Sequence, residues 1–223
     1  MKKVAFLTGA GMSAESGITT FRDNGGLWEQ YDVMDVASAD GFARNPALVH
    51  KFYNDRRRQL LEVEPNEGHK IIAGLEADYD VVVITQNVDD LHERAGSSRV
   101  LHLHGELMKV RAVDDETKIY TLTPDNLETV PETIMDGHRV RPHIVFFQEA
   151  VPNIEIAIDW LQDVDICVVV GTSLNVYPAA GLINYLPSKA AVYYVDPRPA
   201  PVPSYVKVVA ENATTGLKSI FHK

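Results

Sequence analysis

Short apolar runs rich in β-branched residues recur along the chain, and each stops at a glycine or a polar side chain. Residues 4–8 run into Gly9-Ala10-Gly11, 79–85 into Gln86, 100–103 into His104, 165–170 into Gly171 and 191–195 into Asp196. Continuous apolar runs of this length suit strands covered on both faces. Helical spacing lies between them. Over 46–62, Leu48, Val49, Phe52, Tyr53, Leu60 and Leu61 approximate a 3.6 period, and Pro46 suits a first turn. Helices are also predicted over 13–17, 67–77, 152–162, 178–186 and 213–221, and strands over 144–147 and 205–209. The alternation predicts an α/β fold with a doubly wound parallel sheet. Ligands bind such sheets beyond the carboxyl ends of the strands, where the glycines and polar residues fall.

Residues 109–141 break the alternation. They are rich in Thr, Asp and Glu and read as a small inserted module, leaving 1–108 and 142–223 as one domain. The apolar fraction, 45%, is enough for a core, and no apolar run approaches a bilayer span, so no membrane partner is expected. A formal net charge of −10 argues against nucleic acid. No export signal is read at the N-terminus, so the expected location is the cytoplasm. The single cysteine, Cys167, sits in an apolar run and reads as core. It permits neither an internal disulfide nor a thiolate zinc site, so no metal is expected.

Gly9-Ala10-Gly11 after a strand allows backbone N–H groups to approach a pyrophosphate, but a plain tight turn explains it equally well. The continuation Met12-Ser13-Ala14-Glu15-Ser16-Gly17-Ile18, then Phe21-Arg22, sharpens it. Later motifs follow in order: Thr85-Gln86-Asn87-Val88-Asp89-Asp90-Leu91-His92, Leu103-His104-Gly105, Arg141-Pro142-His143-Ile144-Val145-Phe146-Phe147, and Gly171-Thr172-Ser173-Leu174-Asn175-Val176-Tyr177-Pro178-Ala179. With these the chain resembles the sirtuins, the NAD-dependent protein-lysine deacylases, over nearly its whole length.

The resemblance implies a Rossmann-like domain binding NAD through Gly9, Ala10, Gly11, Phe21, Arg22, Gln86, Asn87, Asp89, Gly171, Thr172, Ser173, Asp196 and Ala213. It implies His104 as general base with Asn87 as catalytic partner, and leaves His102 structural. An unperturbed histidine pKa near ~6.5 suits that role. Val145, Phe146 and Phe147 would meet an acylated lysine peptide or protein. The expected products are lysine, nicotinamide and O-acyl-ADP-ribose, and a monomer is expected. ADP-ribosyl transfer, or ADP-ribose binding without catalysis, are the alternatives.

Two departures stand out. The family's small domain usually holds zinc between four cysteines, and 109–141 has none; Ile119, Tyr120, Leu122 and Ile134 are expected to hold it together instead. The returning strand usually ends Phe-Gly-Glu, but here it ends Phe147-Gln148-Glu149. Finally, Tyr53 and Arg56 are i and i+3 on a predicted helix and share a face. Sirtuins with this pair remove succinyl or malonyl groups, and a guanidinium fork with a phenol suits a carboxylate. Arg57 and Arg58 are expected to be solvated.

Overall fold

The structure is a computed structural model that describes residues 1–18, 31–172 and 179–221. The apolar runs form strands β1 (Lys3–Thr8), β2 (Asp80–Thr85), β3 (Val100–His102), β8 (Ile166–Val170), β9 (Ala191–Val195) and β10 (Val206–Val209). They make a six-stranded sheet in the order β10-β9-β8-β1-β2-β3, every pair parallel. Chain order reverses between β1 and β8, the switch point beyond whose strand ends ligands bind in sheets of this kind.

Helices cover both faces. On one, α7 (Ile154–Leu161) and a 3₁₀ segment, Ala179–Tyr185, pack over Ala5, Leu7, Cys167 and Val169. On the other, α5 (Glu67–Gly74) and α8 (Ala213–Phe221) pack over Val4, Phe6, Val168 and Val170. Cys167 lies on β8 between Ala5 of β1 and Val192 of β9 and is fully buried. Among the described residues no helix is long and apolar enough to cross a membrane.

α4 (Pro46–Glu62) follows the expected bounds, with Asn45 accepting from the Leu48 N–H at its start. The helix expected over 13–17 begins earlier, as α1 (Ala10–Ala14), because extended Gly9 turns the chain straight from strand into helix. That expected over 67–77 ends as α helix at Gly74 and closes in a 3₁₀ turn, Leu75–Ala77. Short helices α2 (Val33–Val36), α3 (Ala39–Arg44) and α6 (Leu91–Arg94) were not foreseen.

The inserted segment folds as an antiparallel sheet in the order β5-β4-β7-β6. Its strands are β4 (Gly105–Ala112), β5 (Ile119–Thr121), β6 (Ile134–Met135) and β7 (His138–Ile144). Asp136 and Gly137, with φ of 49° and 85°, form the two-residue loop joining β6 to β7. The expected strand at 144–147 does not form. Ile144 ends β7, and Phe147 makes a single parallel bridge to Ser38. Val110, Leu122 and Val140 form the module's core, with Tyr120 and Met135 against it. Ile119 and Ile134 do not help, being 46% and 62% exposed. Strand alternation on the edge strands turns them outward and turns Tyr120 and Met135 inward.

Residues 105–144 do not fit a zinc ion. They hold no cysteine, and among the described residues no group of three or more His, Cys, Asp or Glu side chains could hold a metal. What ties the module down is an arginine. Arg57 was expected in solvent but is 0% exposed. It donates to the carbonyls of Leu107 (2.7 Å) and Leu127 (3.5 Å), to Asn54 Oδ1 (2.8 Å) and to Thr129 Oγ1 (3.3 Å). Burial lowers its pKa to about 10. Arg58 is exposed, as expected, and pairs with Asp55 and Glu128.

Candidate active site

The glycines after β1 and β8 let two loops touch. The N–H groups of Gly9 and Gly11 donate to the carbonyls of Val170 and Gly171 at 3.0 and 2.8 Å. A Cβ on Gly9 would lie 2.7 Å from Thr172 Cβ, and one on Gly11 2.7 Å from Gly171 Cα. Gly171 itself has φ +60°, where a side chain would also strike the Met12 nitrogen. Gly9 and Gly11 thus answer a packing demand between loops, and Ala10 lines the pocket beside them. Gln86 ties the adjacent strand end into the same place, Nε2 donating to Thr172 Oγ1 at 3.1 Å.

Deeper in, Ser13 links two residues of the Gln86–Asp89 loop. Its hydroxyl donates to Asp89 Oδ2 (2.9 Å) and accepts from Asn87 Nδ2 (3.1 Å). Ser13 was not singled out from sequence, although a small polar residue two positions past a glycine turn was the signal for it. Burial pushes the Asp89 carboxyl up, against hydrogen bonds from Ser13 and the Leu91 N–H. His104 lies in the bend between β3 and β4, two residues past the end of β3. Its Nδ1 lies 3.1 Å from the Gln86 carbonyl, which can only accept, so Nδ1 carries the proton and Nε2 keeps a free lone pair. Burial lowers its pKa, opposed by that carbonyl, so the ring is neutral near pH 7 and able to act as a base.

Of these residues Ala10, Ser13, Asn87 and Asp89 line a pocket, together with Ile18, Phe52, Tyr53, Arg56, Gln59, Leu60, Val88 and Leu107; Gln86 and His104 are not among its lining residues. Tyr53 and Arg56 therefore share it with Asn87 and Asp89, as the i, i+3 spacing required. Tyr53 is 5% exposed, and burial raises its pKa. Arg56 is half-buried over the Phe52 ring, and its Nε and Nη1 are buried without a hydrogen-bond partner among the described residues.

The chain matches the Sir2 family over residues 9–178. It belongs to the Sir2 family. It is 52% identical to an NAD-dependent protein deacylase of Bacteroides thetaiotaomicron, over 99% of this chain and 97% of that one. A mutant Sir2 homologue in complex with ADP-ribose superposes with a TM-score of 0.90 at 34% identity, over 98% of this chain and 90% of that one. A Sir2 homologue in complex with NAD gives 0.87 at 34% identity, over 98% and 88%.

Within this Sir2 chain, Val145 to Phe147 run beside His104. The Val145 N–H donates to the His104 carbonyl (3.0 Å), and the Phe147 N–H to the Ala37 carbonyl (2.8 Å). Phe146 is buried under the Arg141 guanidinium, 3.9 Å above its ring, whereas Phe147 is 45% exposed. Glu149 fixes the bend, accepting from Arg141 (2.6 Å), Arg111 (3.2 Å) and the Phe146 N–H (2.8 Å). Gln148 adopts φ +78°, the left-handed conformation that glycine tolerates best. Its amide turns away to Asp40, accepting from the Asp40 N–H (3.2 Å) and donating to its carboxylate (2.8 Å).

The remaining expected residues lie further out. Asp196 follows β9 and accepts from the Arg198 N–H at 2.8 Å. Ala213 is the first residue of α8 and is buried against the sheet. Phe21, Arg22 and Ser173 lie outside the described residues.

Proposed function

We propose that this chain removes acyl groups from protein lysines with NAD, acts best on acyl groups ending in a carboxylate, and releases lysine, nicotinamide and O-acyl-ADP-ribose. The coarser activity rests on family and relatives: the chain is an NAD-dependent protein deacylase. The acidic preference rests on one observation, that Arg56 Nε and Nη1 find no hydrogen-bond partner among the described residues, beside Tyr53 in a largely apolar pocket. A buried donor without a partner is costly. A carboxylate offers a guanidinium two acceptors at once, and the Tyr53 hydroxyl adds a donor.

The residues beyond the carboxyl ends of β1, β2 and β8 fit NAD. Gln86, Asn87, Asp89 and Thr172 bring amide, carboxyl and hydroxyl groups to the strand ends, and the loops close there on glycine. Asp196 offers a carboxylate at the next strand end. NAD supplies a ribose carbon made electrophilic by the nicotinamide leaving group. Asn87 and Asp89 orient polar groups over that side of the pocket, and His104 Nε2 takes a proton from a hydroxyl. Phe52, Leu60 and Leu107 keep water from the acyl chain.

The test is mass spectrometry of NAD incubated with the protein and acetyl-, succinyl- or malonyl-lysine peptide. Acyl-ADP-ribose formed fastest from the acidic peptides supports the reading. A preference for acetyl-lysine removes the acidic part, and an ADP-ribosylated peptide indicates transfer instead.

A further inference from the structure

Asn87 is gripped on three sides. Its side-chain Nδ2 donates to Ser13, its N–H to Thr85 Oγ1 at 3.0 Å, and its carbonyl lies 2.9 Å from His102 Nδ1. The other nitrogen of His102, Nε2, lies 2.8 Å from Glu93 Oε1 on α6. His102 ends β3 and His104 follows two residues on; one ring meets the carbonyl of residue 87 and the other that of residue 86.

Both partners of His102 are acceptors, so a carboxylate at Glu93 requires a proton on each ring nitrogen. Burial opposes that charge, but the hydrogen bond and charge of Glu93, with the Asn87 carbonyl, outweigh it and raise the His102 pKa. Burial likewise opposes charge on Glu93, yet the imidazole brings its carboxyl below the usual range. The surrounding groups agree. Glu106 on β4 favours the cation, and Asp89 in the loop is itself stabilised by it. Lys109 on β4 and Asp90 act on Glu93, with opposite signs. His92 on α6 and His69 on α5 are held neutral by burial.

We propose that His102 and Glu93 are a positioning pair: the doubly protonated His102 holds the Asn87 carbonyl, and through it the Asn87 side chain, in place beside His104. A neutral ring keeps one proton. With that proton on Nε2 for Glu93, Nδ1 turns a lone pair on the carbonyl oxygen, and the Asn87 peptide is pushed away. The inference rests on the reading that Asn87 and His104 process NAD.

The test compares wild type, Glu93→Gln and His102→Asn in kcat/KM for NAD against pH, with acetyl-lysine peptide as the second substrate. Wild type is expected to lose activity along an alkaline limb. Glu93→Gln removes the carboxylate, and its amide can donate to Nε2, so a neutral ring keeps its Nδ1 proton on the Asn87 carbonyl and the limb is lost. His102→Asn keeps a donor near the Nδ1 position but cannot titrate, so the limb disappears. Imidazole ¹⁵N NMR is expected to show His102 doubly protonated at pH 7 in wild type. A purely structural role lowers the melting temperature of the variants and leaves the limb in place. The same limb in wild type and Glu93→Gln, or a neutral His102 at pH 7, overturns the proposal. Acetyl-lysine as substrate keeps the result independent of the acidic preference. If wild type turns over no acyl peptide, the functional reading fails, and calorimetric NAD affinity across the same pH range decides this one: no difference between wild type and Glu93→Gln overturns it.

Discussion

Arg57 donates from Nε to the carbonyl of Leu107 at 2.7 Å, joining the long helix α4 to the first strand of the small sheet. Leu107 also lines the pocket beside Tyr53, so the same bond fixes one wall of the site. Arg57→Leu removes the donor to the buried Leu107 carbonyl and leaves Asn54 Oδ1 with the Thr129 N–H alone, and is expected to cost about 2–4 kcal/mol. For a chain of this size that lowers Tm by roughly 5–15 °C. Arg57→Lys keeps the charge but loses the planar fork, and is expected to recover only part of the loss. Thermal melts of the two variants check this; unchanged melting would mean the module is held by its apolar contacts alone.

Arg56→Met is expected to weaken succinyl- and malonyl-lysine processing and to leave acetyl-lysine nearly unchanged. A guanidinium–carboxylate pair made with the acidic substrates only is worth roughly 2–5 kcal/mol, so the ratio of kcat/KM values falls more than tenfold. Tyr53→Phe acts in the same direction by less, since it removes one neutral donor. Steady-state kinetics on matched peptides give the ratio, and equal losses on all substrates would assign the pair to the fold.

His104→Ala is expected to lower kcat by ~10²–10⁴ and to leave NAD affinity largely intact. In wild type the acid limb of kcat/KM should lie below pH ~6.5, because burial lowers the His104 pKa and the charged ring cannot accept a proton. A limb above that value, or turnover in the variant, would move the base elsewhere.

Acid should unfold the protein through its buried histidines. His50 and His69 are at most 1% exposed, and burial lowers each pKa from 6.5 to about 4. Between those values the unfolded chain binds more protons than the folded one. Their contribution is therefore fully present above pH 6.5 and is lost as the pH falls towards 4, on the order of a few kcal/mol together. Urea titrations at pH 7, 5.5 and 4.5 measure the slope. His69→Gln, which still offers an acceptor to the Asn66 N–H, should flatten it.

A chelator should not shift the melting temperature, and elemental analysis should find no stoichiometric zinc. The small sheet has its own core in Val110, Leu122 and Val140 and its anchors in Arg57, Arg111 and Arg141. One zinc per chain would require ligands that the described residues do not assemble.

The parallel sheet could be read from sequence because its central strands β1, β2 and β8 are nearly continuous apolar runs, each followed by a glycine or a polar side chain. α4 could be read because its apolar period and its proline cap agree. The bend at Val145 to Phe147 could not, since an apolar run looks alike whether it pairs in a sheet or packs against a guanidinium. At the site, Asn87, Asp89 and His104 came from motif and strand-end position together. Arg57 was missed because a run of three arginines resembles a solvated face. The helical register held the contrary signal: Tyr53 lies four residues before it and Leu60 three after, so all three share the buried side. The hold of His102 on the Asn87 carbonyl depends on Glu93 meeting His102 across the fold, and no local spacing encodes that pairing.

Cys167 gives the chain a chemical clock. It is the only thiol, it sits on a strand flanked on both sides, and burial pushes its pKa up to about 12. An alkylating reagent cannot reach it through a fraying terminus or a moving loop; β8 must part from its neighbours or lose its helical cover. The labelling rate under native conditions therefore counts openings of the very sheet that carries the catalytic strand ends, and ligands that clamp those ends should slow it.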